Sequence, residues 1–214
     1  MANITGDGNF TAKQNQASQA LIVGILKFIS ALNVFLSITA FLGNVLILVA
    51  LHKVTSIHPP TKCFFRCLAV TDLCVGLIVQ PLFATIILRL SRVTKVSENV
   101  VYSTSFYLAL SLIVCGILVL TTTAISADRL LALLLGLRYR HVVTLKRVRV
   151  VIICLWFIGA SLGCLVFISI DIALKAASAF VLFCFLISIF CHSKIFFKLR
   201  HQQAQVQNHV SLRP

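Results

Sequence analysis

The stretch VYSTSFYLALSLIVCGILVLTTTAISADR, residues 101–129, decides the class of this protein. It carries no charged side chain until Asp128 and Arg129 close it, and it exceeds the roughly 20 apolar residues that cross a bilayer core. A helix satisfies its own backbone hydrogen bonds in lipid, which an open strand does not. The stretch therefore predicts a transmembrane helix.

Four more apolar stretches of this kind occur along the 214 residues, at 28–51, 67–88, 150–170 and 172–193. Hydrophobic residues make up 59% of the chain and charged residues 11%, against about 25% charged in soluble domains. A soluble fold is excluded on this composition. We expect an all-α membrane protein with five transmembrane helices within residues 28–200, a polar N-terminal segment at 1–27, a short turn at 171–175 and a mobile polar tail at 201–214.

The net charge of +14 lies mainly between the apolar stretches, which favours topology signals and anionic lipid headgroups over a nucleic-acid partner. With the N-terminus outside, most Lys and Arg residues fall on the cytoplasmic side, and the rule that positive charge stays inside is obeyed. The sequons at Asn3 and Asn9 agree, because glycosylation requires an external segment. We expect a multi-pass plasma-membrane glycoprotein whose first span inserts without a removable leader.

Asp72 is the one acid within the second stretch, where a charge costs at least about 2.5–3.5 kcal/mol on insertion scales. One interpretation is an ion site or a polar hub that rearranges between helix packings. The other is a neutral carboxyl group satisfied by Asn44 in the first stretch, with Gly43 allowing close helix approach. Both interpretations stay open from the residues alone.

Two further features lie in the second and third stretches. Asp128 and Arg129 are expected to form an ion pair at the cytoplasmic boundary, or to be a helix-end acid beside an Arg that reaches the membrane surface. Pro81 frees a backbone carbonyl and should kink its helix.

The order and spacing of several short segments resemble a rhodopsin-like (class A) G-protein-coupled receptor. The matching residues are Gly43-Asn44-Val45, Leu68-Ala69-Val70-Thr71-Asp72 with Pro81, Asp128-Arg129-Leu130, Leu137-Arg138-Tyr139 and Trp156. The resemblance covers residues 28–200 and implies the first five helices of a seven-helix bundle. Missing extracellular cysteines, a short fourth-to-fifth connection and a proline-free fifth helix are also similar to the melanocortin-receptor branch.

The resemblance implies roles for individual residues. Asn44 and Asp72 would belong to a polar network or sodium site that changes on activation. Asp128 would restrain Arg129 until Arg129 contacts a heterotrimeric G protein. Leu137 would insert into the G protein. Tyr139 would support the cytoplasmic loop between the third and fourth helices, residues 138–149, which we call the inner loop.

A weaker expectation concerns a ligand pocket between the outer halves of the second, third and fifth helices. Ser111 stands where amine receptors carry an acid, so the resemblance disfavours a monoamine as the extracellular ligand. Plain helix packing is the competing interpretation for this set, because each residue type is common at membrane helix interfaces. The set is Gln80, Ser111, Leu112, Cys115 and Phe180.

The sequence favours a receptor over an enzyme. It contains no Gly-rich phosphate loop or paired carboxylates, and its six histidines lack metal-ligand spacing, so neither a metal nor a cofactor is expected. Since two helices of the family bundle are not represented, the chain is expected to be a fragment or a truncated form of a signalling receptor. The first alternative is a non-signalling truncated receptor that associates with full-length receptors, as in a dimer. A channel or transporter subunit is less favoured.

Overall fold

A computed structural model describes residues 4–90 and 98–211, and every regular element in these two ranges is helical. The predicted all-α class is confirmed. The α-helices are α1 (Ile4–Lys53), α2 (Pro59–Cys74), α3 (Gln80–Leu90), α4 (Glu98–Leu135), α5 (Tyr139–Val142), α6 (Leu145–Cys164) and α7 (Ile170–Ser211). A π-helical turn at Val75–Val79 joins α2 to α3. A 3-10 turn at Gly136–Arg138 follows α4, and another at Leu165–Phe167 follows α6.

Five helical segments of the described chain are long and apolar enough to cross a membrane, which confirms the predicted number. The outer surfaces of these spans are covered with exposed Leu, Ile, Val and Phe side chains, the arrangement that lipid requires. The first to fifth spans are Gln16–Lys53, Pro59–Arg89, Val101–Val142, Leu145–Phe167 and Ile170–Gln205.

The helices extend beyond the apolar stretches from which they were predicted. The second begins at Pro59 rather than 67, because two prolines fit the first helical turn, where their missing N–H groups have no partner to lose. The expected turn at 171–175 was wrong: α7 begins at Ile170 and includes these residues. The tail expected to be mobile is helical as far as Ser211. Hydropathy marks the part of a helix in lipid, whereas the backbone hydrogen bonds continue into water.

Helix α4 is the centre of the bundle, since it contacts the second, fourth and fifth spans. Its closest neighbour is α6, where glycine removes the side chain between the two backbones. A Cβ atom on Gly163 would lie 2.8 Å from the carbonyl oxygen of Ala109, and one on Gly159 would lie 2.6 Å from Ile117 Cγ1. Close glycine contacts let membrane helices gain dispersion energy over a long interface.

The first span packs on the second, and the contact is built around Pro81. In the π register the missing N–H of Pro81 leaves the carbonyl of Gly76, five residues earlier, without a helical donor. Ser37 Oγ on α1 donates a hydrogen bond to that carbonyl, and Asn33 Nδ2 donates to the carbonyl of Gln80 at 3.0 Å. At Pro81, where the sequence predicted a kink, the structure has a π turn whose free carbonyl is bonded by a neighbouring helix.

Candidate functional site

A buried carboxylate joins three helices at the end of α4. The side chain of Asp128 is 4% exposed. Tyr139 donates its phenolic hydrogen to Asp128 Oδ1 at 2.6 Å, and Thr61 donates its hydroxyl hydrogen to Oδ2 at 3.0 Å. The two hydroxyl oxygens lie 3.1 Å apart. We call these three residues the Asp128 cluster; it ties α4 to α2 and α5.

The chain returns Tyr139 to Asp128 through a sharp change of direction. Gly136 follows α4 with φ +50°, a left-handed conformation that ends helices and suits glycine. The 3-10 turn and short α5 then bring Tyr139 back against α4, where its side chain is 8% exposed and its ring centroid lies 5.4 Å from that of His58. A short charge-assisted hydrogen bond to Asp128 completes the site.

Arg129 is oriented away from the Asp128 cluster. The ion pair expected between neighbours Asp128 and Arg129 is not formed; successive helical side chains diverge by about 100° at 3.6 residues per turn. The exposed guanidinium of Arg129 instead lies over the ring of Phe65, with Cζ 5.5 Å from the ring centroid. The side chain of Leu137 is 96% exposed beyond the end of α4.

Asn44 and Asp72 do not bond to each other in the structure. Asn44 Nδ2 donates to the carbonyl of Ala40 in its own helix at 2.8 Å. Asp72 is half-buried on α2, and no hydrogen bond or ion pair reaches its carboxylate from the residues the structure describes. Gly43 was wrongly expected to allow close helix approach, since no atom of another helix lies within 4 Å of a Cβ placed there. That role belongs to Gly76, where a Cβ would lie 3.1 Å from the carbonyl oxygen of Ser37.

The five residues of the expected ligand pocket differ in environment. Ser111 donates to the carbonyl of Leu108 in its own helix at 2.9 Å. Leu112 packs beside the buried Ala109–Val166–Ala173 cluster, Cys115 is exposed, and Phe180 is partly exposed. Gln80 has a buried side-chain oxygen that no donor reaches within the described ranges.

The comparisons with known proteins agree with this architecture. A family model described as 7 transmembrane receptor (rhodopsin family) matches residues 43–176. The chain belongs to the rhodopsin family of seven-transmembrane receptors. The human adenosine receptor A2b is 34% identical over 154 residues, which are 69% of this chain and 40% of that receptor. The Cavia porcellus histamine H2 receptor is 33% identical over 135 residues, 63% of this chain and 36% of that receptor.

This receptor-family chain spans about two fifths of the length of the curated relatives it matches. Family membership and five membrane-spanning helices make it a multi-pass protein of the plasma membrane. Its relatives are receptors and not enzymes. The likeness to the melanocortin branch stays a prediction.

The sequence did not point to two partners in the site, Thr61 and His58. His58 precedes Pro59 and Thr61 follows Pro60, and both come before residue 67, where the second span was expected to begin. A signal was present, because prolines are common in the first turn of a helix, so Pro59 and Pro60 indicate a helix start that would have placed Thr61 within α2.

Further sequence predictions concern glycosylation, metals and disulfides. Asn3 lies outside the described residues, and Asn9 falls within the range of α1. Within residues 4–90 and 98–211, no group of His, Cys, Asp and Glu side chains is arranged to hold a metal ion. Each of the eight cysteines is a free thiol.

Proposed function

We propose that this chain provides the first five membrane-spanning helices of a receptor that converts binding of an extracellular ligand into activation of a heterotrimeric G protein. The Asp128 cluster carries the proposal. It ties the end of α4 to the inner loop, and it leaves the adjacent Arg129 exposed on the same surface. With the N-terminus outside, as the charge distribution favours, this surface faces the cytoplasm.

In the proposed mechanism, Arg129 and Leu137 contact the G protein. The guanidinium supplies donors for carbonyl or carboxylate groups, and the 96% exposed Leu137 supplies an apolar anchor. The hydrogen bond from Tyr139 to Asp128 holds the inner loop in place. Ligand binding would shift the population between this bonded arrangement and one in which Asp128 has moved away from Tyr139.

Asn44 and Asp72 are proposed as the polar network or sodium site of this receptor. The Asp72 carboxylate has no hydrogen-bond partner among the described residues, so its oxygens are available to a hydrated cation. In the observed arrangement the amide of Asn44 bonds within its own helix and does not satisfy Asp72.

We propose an extracellular ligand other than a monoamine, taken up by the outer halves of the second, third and fifth spans. Ser111 supports the exclusion, since its hydroxyl bonds to its own helix and offers no negative charge to an ammonium group. The relatives include receptors named for adenosine and for histamine. A nucleoside is therefore the first ligand class to test, and a response to histamine, which is a monoamine, would contradict the proposal.

The test measures G-protein dissociation in cells that express the receptor from its complete coding sequence. Energy transfer between tagged Gα and Gβγ subunits is followed as receptor density rises, across the Gα classes. Arg129→Ala should abolish the signal at unchanged surface level. Arg149→Ala removes an exposed basic residue elsewhere on the same side and should retain it. Equal signals from the parent and Arg129→Ala would contradict the proposed role.

A second candidate is a non-signalling form that associates with full-length receptors. The first and fifth spans favour it, because only 6% and 11% of their most apolar windows are buried. These surfaces are available to lipid or to another receptor. Co-expression with the adenosine A2b receptor distinguishes the candidates: reduced agonist response, co-precipitation and absence of signalling by this chain alone would support association.

A further inference from the structure

A cavity of about 320 Å³ lies beside the Asp128 cluster, between α2, α4, α5 and α6. Its size falls at the lower end of small-molecule sites. All but two of its lining side chains are apolar. The lining includes Phe64, Asp128, Leu131, Val142, Arg147 and Val151.

The two charged residues of the cavity differ in what they offer a ligand. Asp128 already accepts hydrogen bonds from Tyr139 and Thr61 and is 4% exposed, so it attracts no further cation. Arg147 is exposed, and its Nη1 donates to the carbonyl of Val142 at 2.7 Å. A guanidinium has five N–H donors, and the remaining ones have no partner within the described part of the chain.

The surroundings of Arg147 are positively charged. Lys146 and Arg149 are exposed on the same first turns of α6, and Arg140 is exposed on α5. Arg147 is the third residue of the fourth span, a helix long and apolar enough to cross a membrane, so we expect its guanidinium where the hydrocarbon core meets the headgroups. An apolar cavity and a basic group at its rim are therefore placed at one membrane boundary.

We propose that this cavity binds an anionic phospholipid, with part of an acyl chain among the apolar side chains and the phosphate on Arg147. Charge complementarity selects the anionic headgroup, because a planar guanidinium binds phosphate through paired hydrogen bonds. The choice of the cytoplasmic leaflet rests on the orientation proposed above. Lipid binding itself does not rest on G-protein coupling, and it is measured without a G protein.

The test uses the purified chain in phosphatidylcholine nanodiscs that contain a small fraction of phosphatidylserine with a photoreactive acyl chain. Illumination should label the walls of the cavity, in peptides that contain Leu131 or Val142 to Val151. The same reactive chain on phosphatidylcholine should label these peptides less. Equal labelling by both lipids, or displacement of the probe by a neutral sterol, would overturn the proposal.

Two pairs of variants separate a site from a generally basic surface. Arg147→Gln should lower labelling on the order of fivefold, the effect of about 1 kcal/mol per basic residue near an anionic membrane. Arg149→Gln removes the same charge from outside the cavity and should change the labelling of the cavity peptides little. Val151→Phe should block the cavity, whereas Val150→Phe, on the exposed surface beside it, should not. Equal losses within either pair would overturn the proposal, provided all variants keep the thermal midpoint of the parent.

Discussion

At the scale of a residue, the phenolic hydroxyl of Tyr139 is the most consequential group in the candidate site. It donates a 2.6 Å hydrogen bond to a carboxylate that is otherwise removed from solvent. We expect Tyr139→Phe to lower the free energy of unfolding by about 1–3 kcal/mol, because Asp128 loses a charge-assisted partner while the ring still packs. Thermal unfolding of the purified chain measures the change.

The matched control is Tyr102→Phe, which removes a hydroxyl from a side chain that is 73% exposed. It should leave the unfolding midpoint unchanged. A midpoint for Tyr139→Phe within error of the parent would show that the hydrogen bond to Asp128 does not stabilise the fold.

At the scale of an element, the π turn of the second span depends on a side chain from α1. Ser37→Ala should destabilise the chain by about 0.6 kcal/mol and by no more than about 1.7 kcal/mol, the mean and the maximum measured for hydrogen bonds between helices in a membrane protein. In a Pro81→Ala background the cost should be smaller, since alanine at this position restores an N–H to the helix. A double-mutant cycle on unfolding free energies gives the coupling. If Ser37→Ala lowered the free energy of unfolding equally in both backgrounds, the Ser37 hydroxyl would not be replacing the N–H that Pro81 lacks.

The packing of α6 on α4 provides a second test at this scale. Gly163→Ala places a methyl group 2.8 Å from the carbonyl oxygen of Ala109, so we expect a loss of about 1–3 kcal/mol from overpacking. Gly43→Ala, with no neighbour within 4 Å, should be neutral or stabilising by up to about 1 kcal/mol. Chemical unfolding in detergent compares the two variants, and similar midpoints for both would contradict close contact at Gly163.

At the scale of the whole molecule, the charge distribution predicts the orientation in the membrane. Thr5→Ala with Thr11→Ala destroys both sequons without changing Asn3 or Asn9. On gel electrophoresis, the untreated double variant should migrate like the parent protein after glycosidase treatment.

The orientation is tested separately with epitope tags. An N-terminal epitope tag should be stained in intact cells, and a C-terminal tag only after permeabilisation. The reverse staining pattern would invert the proposed topology and remove the proposed G-protein surface from the cytoplasm.

The fold class and the number of spans follow from the sequence alone. Lipid supplies no hydrogen bonds, so a sufficiently long apolar run has one stable form, and each run can be recognised separately. Asp128 and Arg129 were singled out from the sequence because they close an apolar helix in a pattern that resembles the receptor family, and their role stays a prediction. Neither inference requires knowledge of which helix lies beside which.

The contacts of Asp128 and of the glycine between the first two spans became known only from the folded structure. Asp128 bonds to Thr61 and Tyr139 rather than to Arg129, and Gly76 rather than Gly43 is the point of close approach. The physical reason is that hydrogen bonds and van der Waals contacts act over a few ångströms. They depend on the rotation of each helix about its axis and on where the inner loop turns back. Packing between distant segments determines both, and hydropathy does not contain that information.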